Sequence, residues 1–174
     1  MKNHALVFAL LLLPLSAWAQ QAHRDHISPY AGEEERDIKS LSADDVAELK
    51  RGGGWGLAKA AELNGVPGPS HVLAMREALA LTPTQLRTVE ELFARMQKAA
   101  IDEGERLNSL EAKLETRFRS GSIDEVQLRQ QLNGIEASRA NLRYIHLAAH
   151  LQLADVLSRD QVVRYNELRG YAAR

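Results

Sequence analysis

The sequence predicts an all-α protein, and three observations support that prediction. Aromatic residues make up 5% of the chain, and residues 70 onward are rich in Leu, Ala, Glu, Gln and Arg, which favour helices. Apolar residues recur three or four positions apart along two long stretches. A short break around Gly121 separates these stretches. The predicted fold is therefore a long antiparallel helical hairpin with shorter flanking helices.

The two long helices are predicted at residues 83 to about 119 and 123 to about 156. The first has apolar side chains at Leu86, Val89, Phe93, Met96, Ala100, Leu107, Leu110, Leu114 and Phe118. The second continues the same spacing from Ile123 to Val156. Each helix therefore carries an apolar stripe, which must be covered by the shorter helices, a second subunit or a client protein.

The first 19 residues have the pattern of a cleavable secretory signal peptide. Lys2 precedes an apolar run over residues 5 to 13, and Ala17-Trp18-Ala19 forms a small-residue cleavage site. The run is shorter than the roughly 20 apolar residues that a spanning helix needs. We therefore expect an exported protein.

The remaining chain is predicted to have two parts. Residues 20–69 are more polar and contain two predicted short helices, at about 41–50 and 55–63, with glycine and proline after each. Residues 70–174 form the predicted hairpin domain, which begins with a short helix at about 70–79. The glycine-rich sequence at 52–56 lacks the Lys-Ser/Thr ending of a phosphate loop, so we interpret it as a flexible joint.

Composition argues against several classes of function. The chain has 22 Lys and Arg against 23 Asp and Glu, without a basic patch, so we do not expect nucleic-acid binding. It has no cysteine, which excludes disulfides, thiolate metal sites and thiol nucleophiles. No nucleophile with an adjacent base and no pair of catalytic carboxylates is evident. We therefore predict a protein that binds rather than catalyses.

One helix-start motif occurs twice around the predicted hairpin and a third time, more loosely, before it. In Leu81-Thr82-Pro83-Thr84-Gln85-Leu86, Thr82 suits the N-cap, proline suits the first helical position and Gln85 can bond back to the cap. The same pattern recurs with Ser158 and Gln161, and more loosely after Ser42. Each motif predicts a capping box.

Two such Leu-Thr/Ser-x-x-Gln motifs around a long helical hairpin, behind a signal peptide, resemble the LTxxQ superfamily of bacterial periplasmic stress proteins. That superfamily includes Spy/CpxP-like chaperones and CnrX/ZraP-like heavy-metal sensor and resistance proteins. The resemblance covers about residues 70–170, and Ser158 replaces the threonine in the second motif. It implies a helical cradle in the periplasm, often dimeric.

The histidines suggest a metal site. His146 and His150 are four residues apart on a predicted helix, so their imidazoles share one face and could bind one divalent ion. His71 and Met75 have the same spacing. Metal-sensing members of the superfamily carry a His-x-x-x-His or His-x-x-x-Met pair with a carboxylate, and these two pairs resemble that arrangement.

The predicted hairpin also suggests a carboxylate. If the chain turns near Gly121, equal rise per residue brings His150 level with Glu91, and His71 reaches the same level if its helix folds back at Leu81. The predicted ligands are therefore His146, His150, His71, Met75 and Glu91, for Zn, Ni, Co or Cu rather than Ca or Mg. His23 and His26 are candidate accessory ligands.

Two functions stay open on the sequence. The first is a metal-responsive binding protein for heavy-metal sensing or resistance, which could report to a membrane-bound sensor partner. The second is an ATP-independent chaperone that holds unfolded envelope proteins. His146 also has a structural interpretation, as a histidine that hydrogen-bonds at the edge of the core, and Met75 could simply belong to the core.

Overall fold

The computed structural model describes residues 26–171, which are helical with no strand in that range, so the predicted all-α class is confirmed. The predicted signal peptide and His23 lie outside the described residues. Residues 26–35 belong to one compact unit, where they form turns, and residues 36–171 belong to a second unit that contains the helices. No described helix is long and apolar enough to cross a bilayer.

The second unit contains six helices: α1 Ala43–Lys50, α2 Lys59–Glu62, α3 Pro69–Ala74, α4 Pro83–Arg119, α5 Glu125–Ala154 and α6 Arg159–Leu168. The two long helices lie within about two residues of their predicted bounds. The predicted helix at 55–63 is reduced to α2, since residues 54–58 form turns and Gly56 takes a φ of 69°. The predicted helix at 70–79 ends early, as α3.

All three predicted capping boxes are confirmed. Ser42, Thr82 and Ser158 each accept a hydrogen bond from the backbone N–H three residues later. In each case the side chain at that third position bonds back to the cap N–H. In α1, α4 and α6, backbone N–H groups at the helix start that have no intrahelical partner are thereby hydrogen-bonded to nearby side chains.

The glutamines of the two complete motifs also bind each other. Gln85 Nε2 donates to Gln161 Oε1 at 2.8 Å, and Gln161 Nε2 donates to Gln85 Oε1 at 3.1 Å. The same two amide groups donate to the backbone carbonyls of Val156 and Leu79. The repeated motif therefore joins the start of α4 to the start of α6, a role that the capping pattern did not predict.

Helices α4 and α5 pack side by side, joined by residues 120–124. Arg117 near the end of α4 donates to Gln127 near the start of α5 at 2.9 Å. Further along, Ser138 donates to Glu103 at 2.5 Å. Residue numbers thus fall along α4 as they rise along α5.

Two apolar clusters hold the unit together. One joins α3, α4, α5 and α6 through Val72, Leu79, Val89, Leu92, Ala149, Leu153, Leu157 and Tyr165. The other joins the region around α1 to the middle of the long helices through Leu41, Leu49, Ala100, Leu107, Ile135 and Leu142. Residues 36–69 therefore share a core with the long helices.

Helix α1 approaches α4 closely because α4 carries a glycine at the contact. A Cβ at Gly104 would overlap the backbone carbonyl of Leu49, the buried penultimate residue of α1. The absence of a side chain at Gly104 thus lets the two backbones touch.

Candidate metal site

A cavity of about 430 Å³ lies between α5 and the segment that runs from the end of α1 to α3. Its lining includes His146 and His150 from α5, His71 from α3, and the glycine-rich segment at 52–56. The structure therefore brings three of the five predicted ligands to one cavity. The glycine-rich segment, interpreted from sequence as a joint, forms part of the cavity wall.

His150 is 6% exposed, and a hydrogen bond indicates which of its ring nitrogens carries a hydrogen. Its Nδ1 lies 2.9 Å from the backbone carbonyl oxygen of Val66. Because a carbonyl can only accept, Nδ1 carries a hydrogen, which leaves Nε2 as the ring nitrogen that can bind a metal ion. A Cβ at Gly68 would lie 2.8 Å from this Nε2, so glycine is needed beside the ring. His150 is thus oriented in the way that metal-ligating histidines are oriented by a second hydrogen bond.

His146 is 4% exposed, and its Nε2 has no hydrogen-bond partner among the described residues. Burial lowers the pKa of His146, the neighbouring His150 lowers it further, and a hydrogen bond to the Gly53 backbone opposes the shift. The ring therefore stays neutral at neutral pH, the form that binds a metal ion. A buried imidazole nitrogen without a partner is costly unless something fills that position.

His71 faces a different partner from the one predicted. Its Nδ1 lies 3.4 Å from Oε1 of Glu62, the last residue of α2, whereas the sequence analysis expected a carboxylate from α4. Glu62 also accepts hydrogen bonds from Tyr165 at 2.8 Å, from Tyr171 at 2.9 Å and from Arg169 at 2.9 Å.

This environment determines the charge of Glu62. Burial alone would raise its pKa, but the hydroxyls of Tyr165 and Tyr171 and the charges of His71 and Arg169 outweigh burial and lower it. Burial and the adjacent Glu62 carboxylate raise the pKa of Tyr165, so its hydroxyl stays protonated and donates. Glu62 is therefore a carboxylate whose oxygens are already bound. Glu62 was not a sequence candidate, because α2 has four residues and no periodic pattern.

The other two predicted ligands do not join the cavity. Glu91 is exposed on α4 and does not line it, so its proposed place beside His150 is corrected. Equal height on two helices does not fix the direction of a side chain, which turns about 100° per residue. Met75 is partly buried against the cluster around Val72 and Leu79, in agreement with its structural interpretation.

The cavity offers two well-placed protein nitrogens rather than a complete ligand set. Within residues 26–171, no group of three or more His, Asp or Glu side chains is arranged to hold a metal ion. Both His146 and His150 line the cavity, and Nε2 of His146 is buried without a hydrogen-bond partner among the described residues.

No protein-family model, curated protein or solved structure matches the chain. The resemblance to the LTxxQ superfamily consequently stays a prediction from the two motifs.

Proposed function

We propose that this protein binds a divalent transition metal through Nε2 of His146 and Nε2 of His150, without catalysis. The observation that carries the proposal is the orphan Nε2 of His146, buried at the wall of a cavity that His150 also lines. Two imidazoles at positions i and i+4 of a helix can reach one ion. Neutral imidazole favours Zn, Ni, Co or Cu over Ca and Mg.

The biological role that fits this chemistry is metal sensing or sequestration in the periplasm. The signal-peptide pattern and the two Leu-Thr/Ser-x-x-Gln motifs support that location. The proposal includes a homodimer in which the paired long helices form the hairpin of a cradle, and a membrane-bound sensor as a partner.

Calorimetric titration with Zn, Ni, Co and Cu tests the metal proposal. Tag-free wild-type protein is compared with His146→Gln/His150→Gln, which keeps polar side chains of similar size. We expect one site per chain, and at least a tenfold loss of affinity in the double variant. Asn141→Gln is the control, because Asn141 is exposed on the same helix and does not line the cavity. Equal affinity in the wild type and in a folded double variant would refute the proposal.

The second candidate function is the holding chaperone, and a separate observation favours it. The two long helices expose large apolar side chains at Phe118, Val126, Leu132, Tyr144 and Leu151. Exposed apolar surface of this kind suits an unfolded client, or a second copy of the chain.

The test of this candidate is suppression of aggregation of an unfolded protein without ATP. Tyr144 and Leu151 are 71% and 68% exposed on α5, so a client could contact both side chains. The double variant Tyr144→Ser/Leu151→Ser should therefore suppress aggregation less than the wild type. Sedimentation of the same variant separates client binding from dimerisation. No suppression by the wild type at molar excess would exclude the chaperone.

A further inference from the structure

The two histidines leave the coordination sphere of a bound metal incomplete. Transition metals take four to six donors, and the described residues provide no group of three ionisable side chains at one point. Nδ1 of His150 is already bound to Val66, so each histidine offers one nitrogen. A bound metal therefore needs at least two donors besides these two nitrogens.

The cavity also lacks a free carboxylate to balance a dication. Glu48 pairs with Arg51 and accepts a hydrogen bond from the backbone N–H of Trp55. Glu62, at another part of the wall, pairs with Arg169 at 2.9 Å. A bare divalent ion would therefore bring an uncompensated charge into a partly buried space, which is unfavourable.

Space and charge at the cavity mouth favour an anion. A volume of about 430 Å³ exceeds what two coordinated waters require, since a water occupies about 30 Å³ of liquid. Lys59 lines the same cavity, is exposed and forms no ion pair within residues 26–171. Its ammonium group is available to a negatively charged ligand.

We infer that the ligand is an anionic chelate of a transition metal, in which a small aminocarboxylate or polycarboxylate supplies the remaining donors. The chelate would bring both the missing donors and the missing negative charge. In the binding step two waters leave adjacent positions on the metal and Nε2 of His146 and of His150 replace them. The carboxylates of the chelator face Lys59. This inference rests on the proposed function and names the form in which the metal arrives.

Nickel complexes that differ in the number of open coordination positions on the metal test the inference. Nickel nitrilotriacetate leaves two adjacent positions open, nickel ethylenediaminetetraacetate leaves none, and aqueous nickel leaves all six. Purified tag-free protein is titrated with each, and radiolabelled nitrilotriacetate reports whether the chelator stays bound. We expect retention of one chelator per chain, at least tenfold tighter binding than aqueous nickel, and no binding of the ethylenediaminetetraacetate complex.

Lys59→Ala provides a variant that does not threaten folding, because Lys59 is exposed. It should weaken binding of nickel nitrilotriacetate about three- to tenfold, the range of a partly screened charge pair, and should not weaken binding of aqueous nickel, which a lysine ammonium repels. Lys98→Ala is the matched control, since Lys98 is also exposed but pairs with Asp102 on α4.

The outcomes separate the two levels of the proposal. Tight 1:1 binding of aqueous nickel without retention of nitrilotriacetate would refute the chelate inference and still support metal binding. Binding of nickel nitrilotriacetate that does not depend on Lys59 would refute the chelate inference in the same way. Binding of neither form would overturn both. Equal binding of the chelate by a folded His146→Gln/His150→Gln variant would assign it to another surface and overturn the inference.

Discussion

At the scale of single residues, the ring of His150 is held between a hydrogen bond and a glycine. The Val66 carbonyl fixes its tautomer, and Gly68 lies where any side chain would meet the ring. The loop at 66–68 therefore orients a potential ligand through two contacts that involve no other side chain. A small change in the conformation of this loop should therefore displace Nε2 of His150.

Replacing Gly68 with alanine should displace the His150 ring. The added Cβ would lie 2.8 Å from both Cε1 and Nε2, so the hydrogen bond to Val66 would lengthen. We expect a loss of about 1 to 3 kcal/mol in the free energy of unfolding, together with weaker metal binding. Gly54→Ala is the control, because Gly54 lines the same cavity and its Cβ would meet nothing within 4 Å. Denaturant titration of both variants decides the point, and equal effects would contradict this account.

His146 should make stability depend on pH below its unfolded pKa of 6.5. Its folded pKa is lowered, so the unfolded state takes up a proton that the folded state resists. Stability therefore falls as pH drops below 6.5, by at most about 1.4 kcal/mol per pH unit, and is unaffected above it. In metal-free buffer, His146→Gln should reduce the loss between pH 7.5 and 5.5, measured by denaturant titration. An unchanged pH profile for His146→Gln would argue against this role.

Sequence reasoning brought His146 and His150 to one face of a helix because the periodicity of a long helix is regular. It missed Glu62, because a four-residue helix has no period that could orient its side chains. It assigned Glu91 wrongly, since height along a helix was known and rotation relative to the opposite wall was not. Local pattern thus placed the two histidines on one face of a helix, and tertiary packing determined which other residues line the cavity.

At the scale of helices, the glutamine pair explains why the motif uses glutamine rather than glutamate. Both residues can complete a capping box, but only the amide can also donate. Gln85 uses that donor on Val156 and on Gln161. In α1, where no such pair forms, Asp45 fills the third position.

Gln85→Glu should keep the capping box of α4 and still destabilise the protein. The substitution removes the donor to the Val156 carbonyl and turns a carboxylate toward Gln161 Oε1, so we expect a loss of about 1 to 3 kcal/mol. Gln127→Glu is the matched control at the third position of α5, because Gln127 accepts from Arg117 and a carboxylate accepts as well. Thermal unfolding should shift downward for the first variant and not for the second. Equal shifts would mean that capping alone explains the motif.

Replacing either of two glycines inside the long helices with alanine should change the free energy of unfolding, but in opposite directions. Gly104→Ala would push α1 away from α4 at Leu49, so we expect a loss of 2 kcal/mol or more, roughly an overpacking cost. Gly134→Ala on α5 would meet Leu110 at 3.8 Å, an ordinary contact. There the helix propensity of alanine should raise the free energy of unfolding by about 0.5 to 1 kcal/mol. Destabilisation by both substitutions would argue against the close approach of α1.

At the scale of the whole molecule, residues 36–69 belong to the core of the long helices. Leu41 and Leu49 are buried against Leu107 and Leu142, and Trp55 packs on the same cluster. The sequence pattern placed a domain boundary at residue 70 because the periodic signal begins there. Periodicity reports where helices are long, whereas a shared core depends on contacts between distant residues.

Truncation tests that boundary directly. A fragment of residues 36–174 keeps the helical unit and should unfold cooperatively. A fragment of residues 70–174 would expose Leu107, Leu142 and the cavity wall of α5, so it should lose cooperative unfolding or aggregate. Circular dichroism during heating distinguishes the two. Cooperative unfolding of the shorter fragment at an unchanged midpoint would support the boundary at residue 70.

Trp55 gives the cavity an optical reporter. Its indole lines the cavity, donates to Asp45 at 2.8 Å and lies beneath the guanidinium of Arg139, 5.1 Å from the ring centre. The chain has two tryptophans, and the other, Trp18, belongs to the predicted signal peptide. Once the predicted signal peptide is removed, fluorescence excited at the indole band would come from a single side chain that lines the same cavity as His146 and His150. A paramagnetic ion bound in the cavity should quench Trp55 fluorescence, whereas diamagnetic zinc should not. The difference between the two titrations measures the occupancy of the cavity without a label.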